Sequence, residues 1–453
     1  MKSAHILRTA SAAALAIASL AAPSAALAAI SVDANGVTVD GAEGADAAAA
    51  DAPQSATANS EGLVEIVVTA TKRETNLQKT PISISVMGAE TIKERKVQSL
   101  LDLADGGVPS LRVATFEARQ SALTIGIRGI VPLDANQPAR EQGVGVYIDG
   151  VYLGRQHGLN AGLFDVERVE VLKGPQGTLF GRNTEGGALS IVSKAPTGVF
   201  GGRVEGSLGN VGGRSASLHL DLPKTAGFSV KIDGVYQHQD PITENPMPGQ
   251  AGWGYFNRTG LRTAVRWQPV DGVTNDFSFD VAKDENTPFY SQLLNYNPNG
   301  CLSGGTNAAP LVIPAGSTCI TPGTAFTGTQ GTVRSLLPGV VVNGDTLMRQ
   351  ADIGVPQQAS VDKTHGFTNV LKWKISPEIE LRSITAWRGV DVQQWDNSGG
   401  AHRVPVVNLT AACAGANCAF SRYSLADLRQ RQFSQEFQAV GTIGSVDYVA
   451  GLY

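Results

Sequence analysis

The sequence VERVEVLKGPQGTLFGRNTEGGALSIVSKAP, residues 166–196, divides the chain into two parts of different pattern. It begins with a short alternating strand, continues through a glycine-dense turn region, and ends with a second apolar strand at residues 188–192. Before it the pattern predicts a compact mixed domain, and after it one amphipathic strand follows another. The stretch therefore marks the boundary between two structural units.

The hydrophobic pattern has a period of two after residue 201, as expected of strands with one apolar face. Residues 216–222, ASLHLDL, show it clearly. About nine such strands fit between residues 202 and 453, each close to the roughly ten residues of a tilted membrane strand. Short connections alternate with long ones at 286–360 and 396–426. A soluble β-sandwich rarely does this, so the pattern favours an antiparallel transmembrane β-barrel.

A small α+β domain precedes these strands, from about residue 61 to 196. Its short strands and helices are each bounded by turn residues such as Gly106-Gly107. The pattern predicts strands at 81–86, 123–130 and 145–152 and helices at 89–96 and 98–104.

The N-terminus carries the features of a secretory signal peptide. Lys2 and Arg8 precede an uncharged run rich in alanine, and the run ends in ALA at 26–28, the form that signal peptidase cleaves. A membrane helix is the alternative, but the run contains Pro23 and lacks a basic flank on its far side. The prediction is a signal peptide over residues 1–28.

Residues 29–64 contain no Lys or Arg and consist largely of Ala, Gly, Ser and Asp. Because so little apolar surface cannot offset the entropy of ordering, they are predicted to form a flexible acidic linker. The linker ends at EIVVTA, residues 65–70, a β-branched run without a partner strand before it. From pattern alone, this run fits either β-augmentation by a partner protein or the first strand of the next domain.

The size of the first domain conflicts with the number of strands. A barrel of about eight to ten strands cannot enclose a domain of that size, and bacterial single-chain barrels have even strand numbers. The expectation is therefore a barrel interrupted in this chain. For a 22-stranded plugged transporter, on the order of 350 residues would be absent.

Four motifs resemble those of TonB-dependent outer-membrane receptors. EIVVTA at 65–70 looks like a TonB box, while IRGI at 127–130 and GVYIDGVYLGR at 145–155 look like plug motifs. Residues 166–196 are similar to the most characteristic segment of the plug in that family.

The resemblance implies an α+β plug domain over residues 71–197, followed by the N-terminal portion of a 22-stranded β-barrel over residues 198–453. It implies external binding of a scarce solute (siderophore, cobalamin, oligosaccharide or aromatic compound) and uptake energised through TonB and its inner-membrane complex. Residues 29–64 are too few for the extra domain of signalling receptors, so transport without transcriptional signalling is expected. The alternative is a non-transporting surface binding or adhesion barrel, or an inactive receptor fragment.

Three groups of site residues are expected from this resemblance. The TonB box comprises Glu65, Ile66, Val67, Val68, Thr69 and Ala70. The charges expected to be buried, paired with each other or with lumen residues such as Arg262 and Arg266, are Arg128, Glu170, Lys173, Arg182 and Glu185. The external plug loops would contact ligand through Asp134, Asn136, Arg140, Arg155 and His157, although the sequence favours a solvated loop position over ligand contact for His157.

Other chemistries find little support in the sequence. Three residues separate Gly177 from Gly181 where a phosphate-binding loop has four, and Arg-Asn follows where such a loop has Lys-Ser/Thr. The six histidines lack metal-binding spacing, and no GxSxG motif is present. The net charge of -4 gives no reason to expect nucleic acid. No enzyme activity, cofactor or metal is expected.

The four cysteines form two locally close pairs in predicted long loops. Neither spacing fits a four-cysteine zinc site, and exported proteins oxidise such pairs. The predicted disulfides are Cys301–Cys319 and Cys413–Cys418.

Overall fold

The computed structural model describes most of the chain from residue 66 onward and a short hairpin before it. The described residues are 29–33, 36–40, 66–116, 119–132, 141–160, 163–246, 248–290, 292, 346–351, 357–396 and 424–453. The predicted signal peptide and both predicted disulfides lie outside these residues.

A hairpin lies within the segment predicted as a linker. Its strands, β1 (Ala29–Asp33) and β2 (Gly36–Asp40), pair antiparallel. The linker prediction rested on average composition, whereas AISVD and GVTVD are locally rich in β-branched residues. The prediction of a segment without structure therefore does not hold for these ten residues.

Residues 66–193 form an α+β plug, as the sequence predicts. The helices are α1 (Ala89–Glu94) and α2 (Gly177–Phe180), with 3₁₀ turns at Leu77–Lys79 and Leu100–Asp105. The strands are β3 (Val67–Val68), β4 (Thr75–Asn76), β5 (Ile84–Gly88), β6 (Leu111–Phe116), β7 (Arg119–Ile127), β8 (Val144–Ile148), β9 (Val151–Tyr152), β10 (Val166–Lys173) and β11 (Gly187–Ser193).

The main plug sheet has the order β5-β10-β11-β8-β9, with β8 and β11 parallel. Strand β5 begins three residues after the predicted start of its strand, and the predicted helix at 98–104 is the 3₁₀ turn at Leu100–Asp105. That turn is fixed by a capping box between Ser99 and Asp102. The predicted strands at 123–130 and 145–152 and the predicted helix at 89–96 are present, whereas β6 and α2 were not predicted.

Strands β10 and β11 present side chains to both faces of this sheet. Val169, Val171 and Ile191 enter the main core, which α1 and the 3₁₀ turn at Leu100–Asp105 cover. Leu172 and Ala188 point to the opposite face, where they form a second apolar cluster with residues of the TonB-box segment. Strand alternation therefore places the predicted TonB box against the central strands of the plug.

The second unit is an antiparallel sheet in which each strand pairs with the next along the chain. Among the described residues it has nine strands, which confirms the predicted number. They are β12 (Gly201–Leu208), β13 (Arg214–Thr225), β14 (Phe228–Gln239), β15 (Phe256–Trp267), β16 (Val273–Asn286), β17 (Ser360–Ser376), β18 (Ile379–Asp396), β19 (Ser424–Ile443) and β20 (Val446–Leu452). Strands β12 and β20 lie at its two edges and do not close it into a barrel.

The two faces of this sheet are the reverse of those in a water-soluble protein. On β16, Phe277 and Phe279 are 40% and 45% exposed, whereas the intervening Ser278 and the following Asp280 are 9% and 8% exposed. The polar face is turned towards the plug, and the apolar face is turned outward. This is the arrangement of transmembrane β-barrel strands.

The two ends of the sheet differ in the connections between their strands. The strand pairs β13–β14, β15–β16, β17–β18 and β19–β20 are joined by short turns, all at one end, which we call the turn end. The strand ends before and after the connections 240–255, 287–359 and 397–423 lie at the other end of the sheet, which we call the loop end. No helix in the described part of the chain is long and apolar enough to span a membrane.

Candidate functional site

The predicted TonB box has a short partner strand within its own chain. Strand β3 pairs with β4, and the N–H of Leu77 donates to the carbonyl of Ile66 at 2.8 Å. The sequence pattern does not show this partner, because a strand of two residues, Thr75–Asn76, is too short to produce a recognisable alternation. Glu65 lies outside the described residues.

The box segment has one buried face and one open face. Val68 and Ala70 are fully buried against Leu172 and other residues of the second cluster. Ile66 and Val67, by contrast, are 42% and 41% exposed. The start of the box is thus accessible while its end is anchored.

A buried carboxylate of the plug holds the middle of the box. The N–H and the hydroxyl of Thr69 both lie 3.0 Å from Oε1 of Glu170, whose side chain is fully buried. The Nε of Arg168 donates to the same oxygen at 2.7 Å. Because each of these contacts is charge-assisted, the buried charge of Glu170 is compensated within the plug.

Lys72 joins the segment after the box to the sheet. Its ammonium lies 3.8 Å from the carboxylate of Glu436 on β19 and 4.7 Å from the ring centroid of Phe180. Its carbonyl accepts a hydrogen bond from Arg382 of β18 at 2.8 Å. Burial lowers the pKa of Lys72; Glu436 opposes this shift, and the nearby Arg382 adds to it.

Arg73 makes a second connection to the sheet. It pairs with Asp447 at 2.8 Å and donates to the hydroxyl of Thr442 at 3.1 Å. Thr442 and Asp447 flank the short turn between β19 and β20. The box segment therefore lies at the turn end of the sheet.

Asp149 forms one of the ion pairs between plug and sheet. Its carboxylate lies 2.5 Å from the guanidinium of Arg262 on β15 and accepts the N–H of Ser193 at 2.8 Å. Burial alone would raise the pKa of Asp149, but the charge and hydrogen bond of Arg262 outweigh it and keep the pKa below its usual value. Arg262 thus contacts the plug as expected, through a partner that the sequence did not identify.

Asp165 is the other main carboxylate at this interface. It contacts the ammonium of Lys231 on β14 and lies 3.2 Å from Lys194 and 3.3 Å from Arg203 on β12. Burial opposes ionisation, but the hydrogen bond and charge of Lys231 prevail and lower the pKa of Asp165 to about 2. Lys231 is itself 2% exposed, so each partner compensates the buried charge of the other.

Most of the charged residues predicted to be buried between plug and sheet are not buried at this interface. Arg128 and Glu185 are exposed, and Lys173 is half-buried. Arg182 lies 3.4 Å from Glu141 of the plug, where water reaches both side chains. Glu170 is buried, but its partners belong to the plug.

Arg266 also departs from the expectation, since it pairs with Asp276 on the adjacent strand at 2.6 Å. The sequence showed which residues are charged but not which face of the plug each one occupies. The prediction of buried charges is therefore wrong for Arg128, Arg182 and Glu185, which are exposed.

The predicted ligand-side loop with Arg155 and His157 is fastened to the inner face of the sheet. The N–H of Gly154 donates to Gln432 on β19 at 3.1 Å, and the N–H of Gly158 donates to Asp362 on β17 at 3.1 Å. His157 is 3% exposed, so the prediction of a solvated histidine is wrong. Asp134, Asn136 and Arg140 lie outside the described residues.

Asp165, His219 and Asp233 form a group that sequence spacing could not reveal. Ligand atoms of the three residues lie within 4.8 Å of one another, and Nδ1 of His219 lies 2.8 Å from Asp233. The ammonium of Lys231 contacts Asp165 and lies 3.8 Å from Asp233. A positive charge of the chain itself thus neutralises the carboxylates that a metal ion would need.

The glycines of residues 166–196 have a packing role. Gly187 has a φ of +148°, and a Cβ there would lie 2.1 Å from the carbonyl oxygen of Leu172. Strands β10 and β11 approach this closely because Gly187 has no side chain. The turn region thus needs glycine for backbone packing, and its spacing does not match a phosphate loop.

Residues 76–188 match the family model of the TonB-dependent Receptor Plug Domain. The ferrichrome outer membrane transporter/phage receptor of Escherichia coli strain K12 is 28% identical over 232 residues, which are 50% of this chain and 28% of that protein. The vitamin B12 transporter BtuB of Vibrio vulnificus is 28% identical over 241 residues, 52% of this chain and 36% of that protein.

The fold is similar to that of the ferric yersiniabactin uptake receptor FyuA from Yersinia pestis, with a TM-score of 0.57 and 19% identity. The match covers 82% of this chain and 47% of that one. Residues 76–188 thus have the sequence of a plug domain of this family, and the fold that continues into the nine-stranded sheet is similar to that of an outer-membrane uptake receptor. The chain spans less than half the length of each of these three proteins.

Proposed function

We propose that this protein is an outer-membrane receptor that imports a scarce solute with energy transmitted by TonB and its inner-membrane complex. The observation that carries the proposal is the position of residues 66–70. They lie at the turn end of the sheet, and short turns of membrane barrels face the periplasm, where TonB acts. Because Ile66 is bonded to the β4 side, the backbone N–H and carbonyl of Val67 point to the other side of the strand and offer an edge for strand addition.

The solute would enter from the loop end. There the segment 153–160 of the plug carries Arg155 and His157, and Asp134, Asn136 and Arg140 are proposed as further contacts. The names of the relatives favour a ferric siderophore or cobalamin, and an oligosaccharide or aromatic compound fits the same mode of uptake. The named relatives are transporters and receptors, so we propose transport without a catalytic step.

Uptake by whole cells tests this function. Cells producing the protein would be given radiolabelled ferrichrome or cyanocobalamin, with and without TonB and with and without an uncoupler of the proton gradient. We expect surface binding under all conditions and accumulation only when TonB and the gradient are both present. Binding that never leads to accumulation would instead indicate a non-transporting surface receptor.

A further inference from the structure

A cavity of 320 Å³ separates the plug from the inner face of the sheet near the turn end. Thr69 and Lys72 line it on the plug side, and Arg266, Lys372 and Arg382 line it on the sheet side. Its volume falls at the lower end of the range for small-molecule sites, roughly 300 to 1,000 Å³. The cavity is therefore large enough for a small organic solute.

The lining of this cavity is basic. Seven Lys or Arg side chains and four Asp or Glu side chains line it, although the chain as a whole has a formal charge of -4. Charges of one sign on walls of low dielectric constant focus the electrostatic field inside a cleft. Carboxylates in or next to the lining pair with six of the seven cations, and among the described residues the uncompensated positive charge belongs to Lys372.

Two of the basic residues face each other without full compensation. Lys372 on β17 and Arg382 on β18 are directly opposed in the register of the two strands, and like charges in opposed positions destabilise a sheet. Arg382 pairs with Glu380 at 2.5 Å. Lys372 is half-buried and has no ion pair among the described residues. A ligand with negative charge would remove this repulsion.

We propose that the cavity binds a small anion bearing two or more carboxylate or phosphate groups, held by Lys372, Arg382 and Lys72. Its role would be that of an exit-side subsite for an anionic solute, and only this role rests on the proposed transport function. The binding itself is a property of the cavity. It can be measured without TonB and without uptake.

Calorimetric titration of the purified protein in detergent, with citrate as the probe at low ionic strength, tests the proposal. We expect citrate to bind to the unaltered protein and Lys372→Gln to raise its Kd about tenfold, equivalent to about 1.4 kcal/mol. The matched control is Lys363→Gln, since Lys363 is exposed on the same strand about 30 Å away along it. Its Kd for citrate should stay within twofold of the unaltered value.

Two results would overturn the proposal: no heat of citrate binding to the unaltered protein at millimolar concentration, or an equal loss of affinity in both variants. The second result would mean that the affinity for citrate depends only on the net charge of the protein. Neither result bears on TonB-dependent uptake. Conversely, citrate binding with a Lys372-specific loss would stand even if the protein proved not to transport.

Discussion

The N–H and hydroxyl of Thr69 converge on one carboxylate oxygen of Glu170, 101 positions further along the chain, at 3.0 Å each. Glu170 lies on β10, the strand at the centre of the plug motif, and Thr69 belongs to the box on which TonB is proposed to pull. The same oxygen accepts Arg168. A fully buried carboxylate of the plug thus anchors the segment on which TonB is proposed to pull.

Replacing Glu170 with Ala should loosen the box segment. The change removes the acceptor for Thr69 and Arg168 and leaves buried donors unpaired, at a cost of about 1–3 kcal/mol. Hydrogen exchange of the amides at 67–72 should become faster, while exchange in the nine-stranded sheet should not. Glu167→Ala is the matched control, because Glu167 also contacts Arg168 but is 49% exposed. Equal exchange in the two variants would show that Glu170 does not anchor the box.

Contact between the plug and the sheet should weaken in strong acid through Asp165. Its pKa in the folded protein is about 2, below the usual 3.8. The stabilisation it contributes is therefore complete above pH 3.8 and is lost as the pH falls through about 2. As the pH is lowered from 5 to 2, the midpoint of thermal unfolding should fall, and it should fall less in Asp165→Asn than in the unaltered protein. An unchanged pH profile in this variant would contradict the assignment.

Gly187→Ala should destabilise the plug, whereas Gly177→Ala should not. A Cβ at residue 187 meets the backbone of Leu172 at a positive φ, while a Cβ at residue 177 meets nothing within 4 Å. Backbone strain of this kind alone costs about 1–3 kcal/mol. Denaturant unfolding of the two variants measures the difference. Similar stabilities would indicate that β10 and β11 can separate without cost.

Phe279→Arg should impair folding into lipid vesicles. Phe279 lies on the outward face of β16 at 45% exposure, and arginine on the lipid face near the bilayer midplane costs about 2–4 kcal/mol. Phe289→Arg is the control, because Phe289 is also exposed but follows the end of β16 at the loop end. If both variants fold into vesicles equally well, the outward face of the sheet is not in contact with lipid.

The large-scale architecture could be predicted because it is encoded locally. Alternation such as that of Phe277, Ser278 and Phe279 indicates a strand and also shows which residues share its apolar face. The nine strands and their apolar outer face could therefore be predicted from the sequence. The charged contacts could not be predicted in the same way. Asp149–Arg262 joins residues 113 positions apart, and nothing local to either residue indicates the other.

The predictions for the site residues show the same difference between local pattern and long-range contacts. Strand propensity identified the box, but not the burial of Val68 and Ala70 or the anchoring of Thr69, because these depend on the opposite face of β10. Arg128, Arg182 and Glu185 were predicted to be buried because they stand in the plug motif. Their exposure shows that membership in a motif does not fix the face on which a side chain lies.

The central claim is that TonB pairs with the open edge of the box, and Val67→Pro compared with Val67→Ala tests it most directly. The N–H of Val67 points away from β4, because the carbonyl of the preceding Ile66 accepts the N–H of Leu77 on the β4 side. Proline removes the backbone N–H needed for strand addition, whereas alanine keeps it, and proline is tolerated on an edge strand where the N–H faces outward. In TonB-containing cells, we expect Val67→Pro to abolish energised accumulation of radiolabelled solute and to leave surface binding intact, while Val67→Ala accumulates it normally. Normal accumulation in Val67→Pro would contradict the claim.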